Sequence, residues 1–106
     1  LGTLDYSESN NLCVAQILMK EFDAAVASCE SAVAKAEKSF EIHVLEVDSV
    51  KASIYSNMGV AKALAGKGTE ASKDLELALK LNARDKNAIT NYSQLSTLDN
   101  LTAGND

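Results

Sequence analysis

The chain repeats itself, and no other property of it limits the possible folds as strongly. Residues 11–34 (NLCVAQILMKEFDAAVASCESAVA) align without a gap on residues 57–80 (NMGVAKALAGKGTEASKDLELALK), at an offset of 46 and with seven of 24 positions identical. The identities are Asn11/Asn57, Val14/Val60, Ala15/Ala61, Leu18/Leu64, Ala25/Ala71, Glu30/Glu76 and Ala32/Ala78, and apolar character is kept at Leu12/Met58, Cys29/Leu75 and Val33/Leu79. A chain that is self-similar in this way, with no Pro and only five Gly, builds stacked helical units rather than a sheet. Each unit depends on its neighbour to cover its apolar side, and the stack presents a surface. We expect an all-α fold, in one domain of 106 residues.

Apolar spacing places the elements. Leu12, Ala15, Ile17, Leu18 and Met19 form one face of a helix over about 7–19, capped by Asp5 or Ser7. Phe22, Ala25, Val26, Cys29, Ala32, Val33 and Ala36 form a second over about 22–38, joined to the first at Lys20-Glu21 as an antiparallel pair. In the other half a helix ends near Ala65, the glycines of Gly66-Lys67-Gly68-Thr69 mark a turn, and a helix covers about 70–81. Asn82 stops that helix and Asp85 caps a fifth. Its face is Ala88, Ile89, Tyr92, Leu95 and Leu98, ahead of a polar tail at 102–106.

On these residues the chain resembles the tetratricopeptide repeat family, whose 34-residue unit is a helix pair patterned W-x₂-L-G-x₂-Y…A-x₃-F…A…P. The second unit fills the slots with Tyr55, Met58, Gly59, Lys62, Ala71, Leu75, Ala78 and Ala83, and the first with Ser9, Leu12, Cys13, Gln16, Ala25, Cys29, Ala32 and Glu37. The motifs are degenerate, lacking Trp and Pro. Met58 to Tyr92 spans 34 residues, so Ile89, Tyr92 and Ser93 open a third unit of which one helix remains. The resemblance implies a short α-solenoid: repeat 1 at about 6–38, an insert at about 39–51, repeat 2 at about 52–83 and a capping helix at about 86–98. Twelve residues beyond the family period fall in EKSFEIHVLEVDSVK (37–51). Without Gly or Pro, they either lengthen the flanking helices or fold back as a loop through Phe40, Ile42, Val44, Leu45 and Val47.

Cys13 and Cys29 stand equally far from Glu21, at the first turn, and both occupy inward slots. Side by side across a helix pair, they either form a disulfide, closing a loop worth about 3 kcal/mol, or pack as two buried thiols. The segments NNLCVA and ASCESAV also resemble the paired cysteines of exported tetratricopeptide proteins of Gram-negative bacteria. That resemblance implies a disulfide and a periplasmic or exported home; free thiols would point to the cytoplasm. The chain begins with Leu rather than Met, and we expect a fragment or a processed form.

Signatures of other functions fail in turn. A net charge of −5 without a Lys or Arg cluster argues against nucleic acid, and no apolar run reaches the roughly 18 residues of a membrane span. His43 is the single histidine, so no metal site is expected. Gly66-Lys67-Gly68-Thr69 departs from the phosphate-loop pattern, and neither a C-x-x-C pair nor a nucleophile elbow is present. We expect no enzyme, cofactor or metal.

The surface remains. The resemblance implies that first helices line a concave side, exposing Asn10, Asn11, Val14 and Leu18, then Ser56, Asn57, Val60 and Leu64, then Thr90, Asn91, Gln94 and Leu98. Asparagine amides both donate and accept, so Asn11, Asn57 and Asn91 either grip an extended peptide backbone or satisfy the neighbouring unit. The family's carboxylate clamp for acidic chaperone tails is matched only at Asn57. The expected partner is therefore a protein or an extended, uncharged peptide. The alternative is a structural role, as a homodimer through open repeat ends or docked onto the rest of a larger chain.

Overall fold

In the computed structural model, which describes residues 5–39 and 46–104 with side chains as far as Thr97, the chain forms α1 (Tyr6–Leu18), α2 (Phe22–Lys38), α3 (Val47–Leu64), α4 (Gly68–Leu81) and α5 (Lys86–Gly104). No strand occurs among the described residues. Helix starts follow local chemistry. The Asp5 carboxylate accepts the Glu8 amide at 2.9 Å, and Asp85 accepts the Ala88 amide at 3.0 Å, so each satisfies a donor that the first turn leaves without a partner. Asp5, and not Ser7, opens α1.

The two helix turns are built alike. After α1, Lys20 N–H donates to Ile17 O at 3.0 Å and Glu21 N–H to Gln16 O at 2.8 Å; after α3, Gly66 N–H donates to Ala63 O at 3.1 Å and Lys67 N–H to Lys62 O at 2.8 Å. Both pairs form a Schellman closure, which places one residue in the left-handed region. That residue is Gly66 at φ 85 in one turn and Lys20 at φ 63 in the other. A side chain in this region crowds the following carbonyl. Lys20→Gly is therefore expected to stabilise the fold by about 0.5–1 kcal/mol, after allowance for glycine's entropy. A urea-denaturation midpoint that does not rise would refute this.

α1 packs on α2 and α3 on α4; α3 also lies against α1 and α2, and α5 against α3 and α4. The backbones of α2 and α4 do not meet. Hence α1, α3 and α5 form one layer and α2 and α4 the other, in a molecule of 51 × 29 × 16 Å. Alanine makes this close approach possible: Ala25, Ala32, Ala36, Ala52, Ala61, Ala71, Ala78 and Ala88 are all fully buried. Short side chains let helices come near but bury little apolar area each. The larger buried groups are accordingly few, chiefly Val33, Ile54, Met58, Leu75 and Leu95.

A disulfide joins Cys13 and Cys29, with Cα atoms 5.4 Å apart and both residues fully buried. The same slots 46 residues on hold Gly59 and Leu75. There a Cβ on residue 59 would stand 2.8 Å from Leu75 Cγ, so the helices meet through a small residue against a large one. A neighbouring cross-link also recurs in altered form. Ser28 Oγ donates to Gln16 Oε1 at 2.6 Å in the first pair, and Lys62 Nζ meets Asp74 Oδ2 at 2.8 Å in the second.

Several expectations require correction. The expected apolar face of α1 is largely outside: Leu12, Leu18 and Met19 are 41, 78 and 65% exposed, and Ala15 is exposed too. Ser9 and Cys13 face the core instead. Among the described helices α1 packs only on α2 and α3, and neither covers these apolar residues. Ile89 is exposed on α5 as well. Helix α4 begins at Gly68, shortening the expected turn, and α5 continues through the expected tail to Gly104. Val47 opens α3, so the C-terminal part of the expected insert lengthens that helix. Phe40, Ile42, His43, Val44 and Leu45 lie outside the described residues.

Candidate functional site

The layer of α1, α3 and α5 carries a row of amides and aliphatic groups. Asn11, Val14, Leu18, Leu64, Thr90 and Gln94 are exposed, while Asn10, Asn57, Val60 and Asn91 are half-buried. None of these ten positions is ionisable. On a chain that is 24% charged, a stretch of that size would ordinarily carry two or more charges.

Two of the amides donate to side chains of the preceding first helix. Asn57 Nδ2 donates to Asn10 Oδ1 at 2.9 Å, and Asn91 Nδ2 donates to Ser56 Oγ at 2.9 Å. Donors 34 residues apart thus reach acceptors 46 residues apart, repeating one link between successive first helices. Each donor amide keeps its carbonyl oxygen and one N–H for another partner. Ser56 is the exception among the expected contact residues. It is buried, 1% exposed, because the Asn91 side chain covers it, and it supports the row instead of touching solvent. Asn11 is exposed. The side chain of Leu98 lies outside those described.

A recess of about 140 Å³ opens on this layer, lined by Gly59, Val60, Ala63 and Leu64 of α3, Leu75 of α4, and Asn91, Gln94 and Leu95 of α5. Sequence reasoning missed it, although a signal was present: Ala63 stands where the first unit has Ile17. A second recess, of about 300 Å³, involves the other layer and is bordered by Glu30, Val33, Tyr55, Met58, Lys62 and Asp74. There the Lys62 ammonium is already matched by Asp74. At the far end of α3, the Glu37 carboxylate 3.0 Å from Lys51 raises the lysine's pKa above its usual value through their hydrogen bond, tying α2 to α3.

The arrangement offers hydrogen bonds and apolar contact. Ser9 Oγ accepts from Lys35 Nζ at 3.0 Å, and at 3% exposure this serine is closed to a substrate. Among the described residues, no three of His, Cys, Asp and Glu gather as metal ligands, and no helix is long and apolar enough to cross a membrane. Compared with protein families, curated proteins and solved structures, the chain matches none, so the character of this face is read from its own residues.

Proposed function

We propose that the chain is a short tetratricopeptide-type solenoid that binds an extended, uncharged peptide or partner segment along the face of α1, α3 and α5, without catalysis. The observation that carries this reading is the uncharged row in which asparagine amides, fixed by neighbouring helices, alternate with Val14, Leu18, Val60 and Leu64. An amide with one donor and one acceptor left over matches a peptide unit, whatever the side chains of that peptide. Fixing it beforehand lowers the entropy lost on binding. The order of packing, with α3 set between α1 and α2 on one side and α4 and α5 on the other, supports the solenoid reading. The Cys13–Cys29 pair supports an oxidising, exported setting, of which the periplasm is one.

The test is titration of ¹⁵N-labelled protein with short, blocked peptides built from Ser, Asn, Gly and one central apolar residue. Shifts are expected along Asn11, Asn57 and Asn91. Asn57→Ala and Asn11→Ala should each weaken binding about fivefold to tenfold, as loss of one hydrogen bond does. Unchanged affinity in both variants would refute the role of the row.

A further inference from the structure

Within that face the recess between α3 and α5 lies where the second unit of the sequence has less bulk than the first, at Cys13/Gly59 and Ile17/Ala63. In the first unit the equivalent position holds Ile17, which packs on the core cluster that includes Cys13. In the second unit Ala63 replaces the isoleucine and Gly59 the cysteine, which leaves about 140 Å³ open over Leu75 and Leu95. Leu75 and Leu95, 1 and 7% exposed, form the floor. Asn91 and Gln94, one helical turn apart on α5, stand at the rim.

We propose that this recess is an anchor pocket for a single Leu- or Phe-sized side chain of an extended, uncharged peptide. The inference rests on the peptide-binding reading and names its specificity. Size argues for the occupant: an apolar cavity of about 150 Å³ accommodates one benzene-sized group. Charge argues for it too. The chain carries −5 overall, yet no ionisable group lines the recess, so a charged side chain entering would lose water and gain no partner. The rim amides suit the backbone on either side of an anchoring residue, because Asn91 is already oriented by its bond to Ser56 and retains a carbonyl oxygen.

Two changes test this, one on each partner. The probes are short blocked peptides of Ser, Asn and Gly with Leu, Phe or Ala at the centre, titrated against the intact, oxidised chain. Leu and Phe peptides should bind roughly ten- to a hundredfold tighter than the Ala peptide, the effect of burying one such side chain. Amide shifts should centre on Gly59, Ala63 and Leu95. Ala63→Ile, which restores the residue of the first unit, should remove that preference while leaving the helical circular-dichroism signal and the unfolding midpoint unchanged or raised. Peptides that bind with shifts along Asn11 and Asn57, but with equal affinity for central Leu and Ala, would overturn the anchor pocket and leave the binding face standing. Absence of binding by every peptide would overturn both. The comparison of peptides leaves the protein unaltered, so the proposal stays falsifiable even where Ala63→Ile fails to fold.

Discussion

Leu75→Ala is expected to cost about 2–5 kcal/mol, a large fraction of a total that for a chain of this size is on the order of 5–15 kcal/mol. Leu75 is 1% exposed, is among the largest fully buried side chains, and closes the contact between α4 and α3. The converse error should cost about 1–3 kcal/mol. In Gly59→Ala the new methyl would lie 2.8 Å from Leu75 Cγ and 3.3 Å from the Ala71 carbonyl oxygen, which belongs to a helix backbone and cannot give way. The double variant then distinguishes contact from coincidence. If the two residues meet as described, the methyl at 59 partly occupies the space vacated at 75, and the combined loss falls short of the sum by about 1 kcal/mol. Urea-unfolding curves of all four proteins measure this; strict additivity would mean that the two side chains do not share the space.

Removing the Cys13–Cys29 disulfide should cost about 3 kcal/mol. The bridge spans 16 residues of sequence and both cysteines are fully buried, so it ties α1 to α2 inside the core they share with Ala25, Ala32, Ile54 and Met58. In the second pair, Leu75 supplies by packing what the covalent link supplies in the first. The Cys13→Ala/Cys29→Ala chain retains small apolar side chains in both slots, so most of its deficit should reflect the freed unfolded chain. Comparing the urea midpoints of oxidised, reduced and double-Ala protein checks the prediction. Equal midpoints in all three would show that packing alone holds the first pair.

Helix positions were legible because they rest on short-range rules. Asp5 and Asp85 cap as their place before apolar-periodic stretches implies, and Phe22 and Lys38 bound α2 as expected. The cysteines could be placed together for a similar reason: residues equidistant from a tight turn between antiparallel helices must come near each other. The turn itself was less legible at Lys20, where no glycine announces a left-handed residue. The α5 end was not legible either, since a polar composition at 102–104 does not prevent helix once the preceding turns are formed.

What lines the candidate face was only partly legible. The recurrence of Asn at one slot was visible, but a sequence does not distinguish an amide free for a ligand from one held by its neighbour. Asn57 proved to be held by Asn10, and Asn91 by Ser56. The recess depends on the joint absence of bulk at Gly59 and Ala63 beneath α5, which is distant in sequence.

The sequence by itself determined the number of helices, their pairing across two turns and the apposition of Cys13 with Cys29, because period, capping and turn geometry act within about one helix length. Tertiary structure alone decided that Ser9 and Ser56 go inside while Leu12 and Met19 stay out. It also decided that a recess opens between α3 and α5, that Asn57 bonds to Asn10 and that Asn91 bonds to Ser56. Burial depends on which neighbours arrive to cover a face, and a residue that a neighbour covers has the same local sequence signal as one left uncovered.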